Sequence, residues 1–134
     1  MSKSPFLKRS ATVLAALAIS AMTSGLALAE GDVAAGEKTF KKCKACHKVD
    51  SDKHGLGPSL NQVIGRTPGT ADGFKYSSAM IAFGEGGAVW DEETLSIFLE
   101  APKKVVPKTK MSFRGLKKPE DRENVIAYIK TFSE

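Results

Sequence analysis

The sequence has 134 residues, a length that fits one domain, and a formal net charge of +5. Three of its 20 basic residues, Lys3, Lys8 and Arg9, lie in a leader that is expected to be removed. The working chain then keeps 17 basic against 15 acidic residues, a formal +2, and a balance that close to neutral speaks against nucleic acid as the partner.

Lys3, Lys8 and Arg9 form a basic start. Ala11 to Ala29 is apolar apart from small hydroxyl residues and Gly25. Ala27-Leu28-Ala29 has the small-x-small form of a signal-peptidase site, and polar sequence begins at Glu30. Residues 1–29 are therefore expected to be a cleaved secretory signal peptide and residues 30–134 the working domain. The alternative is an uncleaved anchor, because nineteen mostly apolar residues approach a membrane span. The Ala-rich content and the cleavage site favour removal, after which no segment suited to stable membrane insertion remains.

Asp32 is placed to cap a first helix. Val33, Gly36, Phe40 and Cys43 recur at steps of three to four, one helical face, and Lys38, Lys41, Lys42 and Lys44 take much of the rest. Gly36 is either a weak helix position or a point of close approach by another helix, and the pattern alone does not choose.

Cys43-Lys44-Ala45-Cys46-His47 follows, and the chain is organised around it. Two cysteines two residues apart, with a histidine directly after the second, are the attachment signature of a c-type haem. Thiols one helical turn apart can each add to one of the two vinyl groups on a haem edge. The next residue is carried beneath the macrocycle, where its imidazole reaches the iron. The motif predicts one covalent haem c, with Cys43 and Cys46 as thioethers and His47 as an axial iron ligand. Other readings stay open at this point. An exported cysteine pair can close a disulfide. Thiol exchange wants a strand–helix context, and none lies upstream. Zinc needs four ligands, and Cys43, Cys46, His47 and His54 are the only cysteines and histidines, two of them adjacent. A working chain of 105 residues, the 134 less 29, builds a modest core, which a large buried cofactor would enlarge.

Val49 to Gly73 carries Gly55, Gly57, Pro58, Gly65, Pro68, Gly69 and Gly73 and no helical or alternating period. So long a loop needs a reason, and wrapping round a flat cofactor supplies one. Leu60, Val63 and Ile64 are its expected inward anchors. A short helix is predicted within Tyr76 to Phe83 after Ser77, ended by Gly84, Gly86 and Gly87. Asp91 caps a stronger helix with Glu92 and Glu93 in its first turn, Leu95, Phe98 and Leu99 on its buried stripe and Pro102 as its stop. Val105-Val106-Pro107 leads to a second loop, Lys108 to Lys117. Pro119 opens the last helix, whose apolar face is Val125, Ile126, Ile129 and Phe132. The predicted architecture is small and all-α, with three main helices plus short ones.

The second axial position has four candidates: Met80, Met111, His54 or a water. His54 lies only seven residues after His47, so a surface role suits it better. Met80 sits in the apolar run Ala79 to Phe83, which suits core packing. Met111 lies among lysines in a polar loop, where ligation and plain exposure compete. A thioether opposite histidine raises the reduction potential and closes the iron to exogenous ligands. The free ring nitrogen of His47 wants a carbonyl acceptor, and Pro58 is available, though an ordinary turn role also fits it.

The chain resembles the class I cytochromes c, most of all the periplasmic bacterial members that carry a signal peptide. The residues that bear the likeness run through nearly the whole working chain. They are Gly31-Asp32, Gly36, Cys43 to His47, Gly57-Pro58-Ser59-Leu60, Gly65-Arg66, Gly73-Phe74-Lys75-Tyr76 and Trp90. They continue with Glu92-Glu93-Thr94-Leu95, Pro102-Lys103-Lys104, Pro107-Lys108-Thr109-Lys110-Met111, Phe113 and Ile126-Ala127-Tyr128. The resemblance implies a class I cytochrome c fold wrapped around one haem. It implies Met111 as the distal ligand opposite His47, with the Pro58 carbonyl accepting from His47. It places Arg66, Tyr76, Trp90 and Thr109 around the haem propionates, and sets Gly36 and Phe40 where the first helix crosses the last, near Tyr128. Three positions depart from the family pattern. Phe98 stands where a tyrosine is common, Met80 where an asparagine is common and Lys108 where glycine is common.

The function so implied is a diffusible periplasmic one-electron carrier, not an enzyme. It would run from a quinol–cytochrome c oxidoreductase or dehydrogenase to an oxidase or photosynthetic reaction centre. Lys38, Lys41, Lys42, Lys44 and Lys48 flank the haem motif, and Lys103, Lys104, Lys108, Lys110, Lys117 and Lys118 flank the methionine loop. A basic collar of this kind would steer a monomer to acidic docking faces on membrane redox complexes. The rivals are a haem peroxidase or gas-binding haem protein with an open distal position, and a carrier tethered by an uncleaved leader.

Overall fold

The computed structural model describes residues 30–133, so the leader expected over 1–29 lies outside the described residues. Each early helix starts where a short polar side chain replaces a missing backbone partner. The Asp32 carboxylate accepts from the Ala35 amide at 2.7 Å and opens α1 (Val33–Phe40). The Ser77 hydroxyl accepts from the Met80 amide at 3.2 Å and opens α2 (Ser78–Glu85). Asp91 accepts from the Thr94 amide at 2.7 Å and opens α3 (Glu92–Glu100). Prolines begin the last two, α4 (Pro102–Val105) and α5 (Pro119–Lys130), at positions whose N–H has no helical partner anyway. No strand occurs among the described residues. The all-α expectation holds.

The terminal helices cross. Gly36 sits on α5 so closely that a methyl group there would run into the Asn124 carbonyl and the Tyr128 Cβ. The Asp32 amide donates to Asn124 Oδ1 at 2.7 Å, and the rings of Phe40 and Tyr128 lie 5.3 Å apart. Close approach is therefore the reason for Gly36. The buried face of α1 holds Gly36 and Phe40. Val33, expected on the buried face, falls to one side of it and is 46% exposed. Val125, Ile126 and Ile129 of α5 meet Leu95, Phe98 and Leu99 of α3 in one core with Phe40, Val63, Met80, Trp90, Val106 and Leu116.

Three boundaries differ from expectation. The α1 helix stops at Phe40, and residues 41–46 continue as turns. Gly84 does not end α2 but lies inside it, pressed on the Pro68 carbonyl, and Gly86 follows as the cap. Pro102 stops α3 and at once starts α4.

The long loop after the haem motif has no helix, as expected. Val63 is buried in it, with Leu60 and Ile64 partly buried against the core. Backbone pairs fasten it to distant chain: the Gly65 amide to the Trp90 carbonyl, the Trp90 amide to the Arg66 carbonyl and the Gln62 amide to the Phe132 carbonyl, each at 2.9 Å. His54 fastens it to itself. Its Nδ1 accepts from the Ser59 amide at 3.0 Å, which leaves Nε2–H to donate to the Asp72 carbonyl at 2.7 Å. His54 lies partly exposed, and besides the surface role expected for it, it ties the loop to itself.

Candidate haem site

The turn after α1 builds the attachment segment. The Cys46 and His47 amides both donate to the Cys43 carbonyl at 3.0 Å, so the two thiols sit one turn apart. Cys43 is half-buried, Cys46 is exposed, and neither is in a disulfide. Burial pushes the Cys43 thiol up to about 11, against a smaller opposing pull from Lys42. A thiol so reluctant to ionise is unsuited to thiol exchange at neutral pH. No group of three or more metal-ligating side chains of the His, Cys, Asp and Glu kind occurs among the described residues, which leaves the zinc reading without support.

His47 is held from two sides. Its Nδ1 lies 2.7 Å from the Pro58 carbonyl oxygen. A carbonyl only accepts, so Nδ1 carries the proton and Nε2 keeps its lone pair. Gly57 presses on the ring, and a side chain there would collide with it. Burial lowers the proton affinity of His47, with the Pro58 bond opposing, so the imidazole stays neutral. A neutral, oriented imidazole with one free nitrogen is what an axial ligand requires.

Of the remaining predicted residues, Trp90 is buried in the core. Its ring packs on Phe98 at 5.0 Å and on Phe83 at 5.7 Å. Arg66 is tied to it through the backbone, and the Arg66 guanidinium donates to the Ser59 carbonyl at 2.8 Å and the Asn61 carbonyl at 3.3 Å. Arg66 Nε is buried without a partner. Tyr76 accepts from the Ala71 amide at 3.2 Å; burial raises its hydroxyl, against the Ala71 bond and nearby Arg66. The Thr109 hydroxyl accepts from the Met111 amide at 3.3 Å. Lys110, between them in sequence, donates to the Lys75 carbonyl at 2.9 Å, which brings the methionine loop beside Tyr76.

Two further features bear on the methionine loop. Lys108 adopts φ +65°, the left-handed conformation that glycine takes freely. Arg122 is buried between α3, α5 and the methionine loop, donating to Ser96 Oγ at 3.1 Å, the Leu116 carbonyl at 2.8 Å and the Lys117 carbonyl at 3.2 Å. The sequence held a signal for it, since 122, 125, 126 and 129 fall on one helical face.

A family model described as Cytochrome c matches residues 33–133. The chain belongs to the cytochrome c family. This cytochrome c is 50% identical over 101 residues to cytochrome c2 of Afifella marina, covering 75% of this chain and 82% of that one. Its structure matches that of cytochrome c2 from Rhodospirillum centenum with a TM-score of 0.74 at 41% identity, covering 78% of this chain and 100% of that one. It also matches cytochrome cH from Methylobacterium extorquens with a TM-score of 0.69 at 46% identity, covering 75% and 99%. The cofactor is covalent haem c with its iron, and the activity is electron transfer, not catalysis. The residues fit the group. Two thiols one turn apart and a fixed imidazole offer the attachment, and the orphaned Arg66 Nε marks a buried spot suited to a carboxylate.

Proposed function

We propose that this cytochrome c is a soluble, monomeric, periplasmic one-electron carrier whose iron is held by His47 and Met111. Cys43 and Cys46 form the thioethers, and Arg66, Tyr76, Trp90 and Thr109 surround the propionates. It takes electrons from a quinol–cytochrome c oxidoreductase or dehydrogenase and gives them to an oxidase or photosynthetic reaction centre. When bound, the haem supplies the one-electron couple. The chain's part is to hold both ligands still, so that little reorganisation accompanies transfer, and to keep water from the iron.

The observation that carries the reading is the His47–Pro58 bond at 2.7 Å with Gly57 against the ring. It fixes which nitrogen is free before any cofactor arrives. On the other flank, Met111 is partly buried against the core, in a loop pinned by buried Val106 and Leu116. The expected export signal lies at 1–29, and no helix among the described residues is long and apolar enough to cross a membrane. Every lysine of the expected collar is exposed.

A redox titration with ligand spectroscopy on the purified holoprotein tests the ligand set. The oxidised protein is expected to show the weak sulfur-to-iron band near the red end, and Met111→Ala to abolish it. Rapid binding of cyanide or carbon monoxide by the wild type would instead favour an open-site haem protein. Reduction by a partner complex should slow steeply with ionic strength, and a flat response would remove the collar. The mass of the mature protein separates the exported carrier from a tethered one.

A further inference from the structure

Asp72 is the one aspartate in the sequence that glycine follows. An Asp-Gly step lets the chain turn back on the aspartyl side chain, because glycine has no Cβ to block the approach. In a folded protein such a step reacts only where it is exposed and its reacting groups are unengaged. Residues 71–74 form a turn, with the Phe74 amide donating to the Ala71 carbonyl at 3.3 Å. Gly73 sits in it at φ +73°. Asp72 and Gly73 are both exposed, and no atom outside the adjoining residues lies within 4 Å of where a Gly73 Cβ would stand. Neither the Asp72 carboxylate nor the Gly73 amide has a hydrogen-bond partner among the described residues.

The frame around this pair is held. The Ala71 amide donates to the Tyr76 hydroxyl at 3.2 Å, and the Phe74 ring is met edge-on by His54 at 5.3 Å and by Tyr76 at 4.8 Å. His54 reaches across 18 residues to donate from Nε2–H to the Asp72 carbonyl at 2.7 Å. The Ser59 amide occupies its Nδ1 at 3.0 Å, which keeps the imidazole proton on Nε2. The oxygen that His54 bonds is one end of the Asp72–Gly73 peptide. When the Gly73 amide gives up its proton, the charge left behind is shared between its nitrogen and that same oxygen. A hydrogen bond to this oxygen stabilises the anion more than the neutral peptide.

We infer that Asp72–Gly73 is a site of self-modification to isoaspartate, and that His54 promotes it. The Gly73 nitrogen, its proton passed to solvent, attacks Cγ of the Asp72 carboxyl in its acid form. The Cγ–OH bond breaks, water leaves and a cyclic imide closes. Water then adds at the main-chain carbonyl carbon of Asp72, and the bond from that carbon to nitrogen breaks. The chain now runs through Cγ, one methylene longer, and the former carbonyl has become a carboxylate. The water lost is regained, so no co-reactant is consumed and the mass is unchanged. The new carboxylate arises at the atom His54 already bonds, where a charge-assisted bond holds it.

The test ages the holoprotein in neutral buffer beside a synthetic peptide of residues 67–75, the fragment that trypsin releases between Arg66 and Tyr76. Chromatography of that fragment separates its aspartyl and isoaspartyl forms. The holoprotein should outpace the peptide, which lacks His54. His54→Phe should convert about tenfold more slowly than wild type, the worth of one hydrogen bond to a charged oxygen. Asp72→Glu should yield no such product, because the ring it would have to close is larger. A holoprotein that stays aspartyl while the peptide converts would overturn the site. A His54→Phe protein that keeps pace with wild type would overturn the part given to His54. The peptide comparison decides that part even where the variant does not fold: a holoprotein slower than the peptide would show that the fold restrains the step and that His54 does not promote it.

Discussion

Lys110 Nζ donates to the carbonyl oxygen of Lys75 at 2.9 Å, across 35 residues of sequence. The bond staples the loop that carries Met111 to the loop that carries Tyr76. The lysines beside Met111 thus have two opposed roles under alkali. With Met111 as the proposed ligand, a deprotonated amine from Lys108 or Lys110 would be its rival for the iron, whereas the bonded Lys110 holds the loop in place. Lys110→Met removes amine and staple together. If the staple matters more, the sulfur-to-iron band should vanish about half a pH unit or more below the wild-type midpoint, in keeping with one lost charged hydrogen bond. Absorbance during an alkaline titration reads this. Making both lysines Arg tests the amines: an unchanged midpoint would show that neither is the replacing ligand.

Lys108 at φ +65° bears a Cβ where the backbone suits none. Lys108→Gly should stabilise the holoprotein by about 1 kcal/mol in chemical denaturation. Lys108→Ala should bring no gain, because it keeps the strain while losing the charge. Equal gains from both would assign the effect to charge.

Gly36 leaves no volume between α1 and α5. Gly36→Ala should cost about 3 kcal/mol, the upper range for overpacking, because the Asn124 carbonyl it meets belongs to a helix backbone that cannot swing aside. Denaturant midpoints give the comparison. Helix propensity alone would predict the opposite sign, since alanine is the better helix former.

Asp91 caps α3, and its bonds to Thr94 hold the carboxyl below its ordinary range. A depressed carboxylate contributes stability above its unfolded value and loses it as pH falls through the folded one. Asp91→Ala should therefore melt below wild type at neutral pH. The gap should close as the pH drops through the acid range, because protonation disables the wild-type cap too.

Arg122 satisfies the Leu116 and Lys117 carbonyls and Ser96 from a buried position. Arg122→Met keeps the length and apolar stem but leaves those acceptors unpaired. A loss of about 2–3 kcal/mol is expected, with loosening of the 111–118 segment visible as faster amide exchange.

What the sequence disclosed was mostly local. Asp32, Ser77 and Asp91 announce their helices because a cap acts over three residues, and Cys43 to His47 announces itself because its chemistry spans one turn. Gly36, undecided from its pattern, was settled only by the family likeness and then by the crossing itself. Most of the features missed depend on distant or backbone geometry. His54 looks like a surface residue until Asp72 is folded beside it. The staple from Lys110 has no signature, since any lysine can find a carbonyl. Lys108 marked a departure from a common glycine, but only the backbone angle says why glycine is usual there. Pro102 was read as a stop and is also a start, because the same ring that blocks one helix suits the first turn of another.

The meeting of the first and last helices also sets an order of events. An eight-residue helix such as α1 has little stability alone in water, and its glycine face finds no partner until residues 119–130 have been made. The cysteines just beyond it are made long before that partner. The two ends of the molecule therefore lock together last, after the segment that carries Cys43 and Cys46 has long been made.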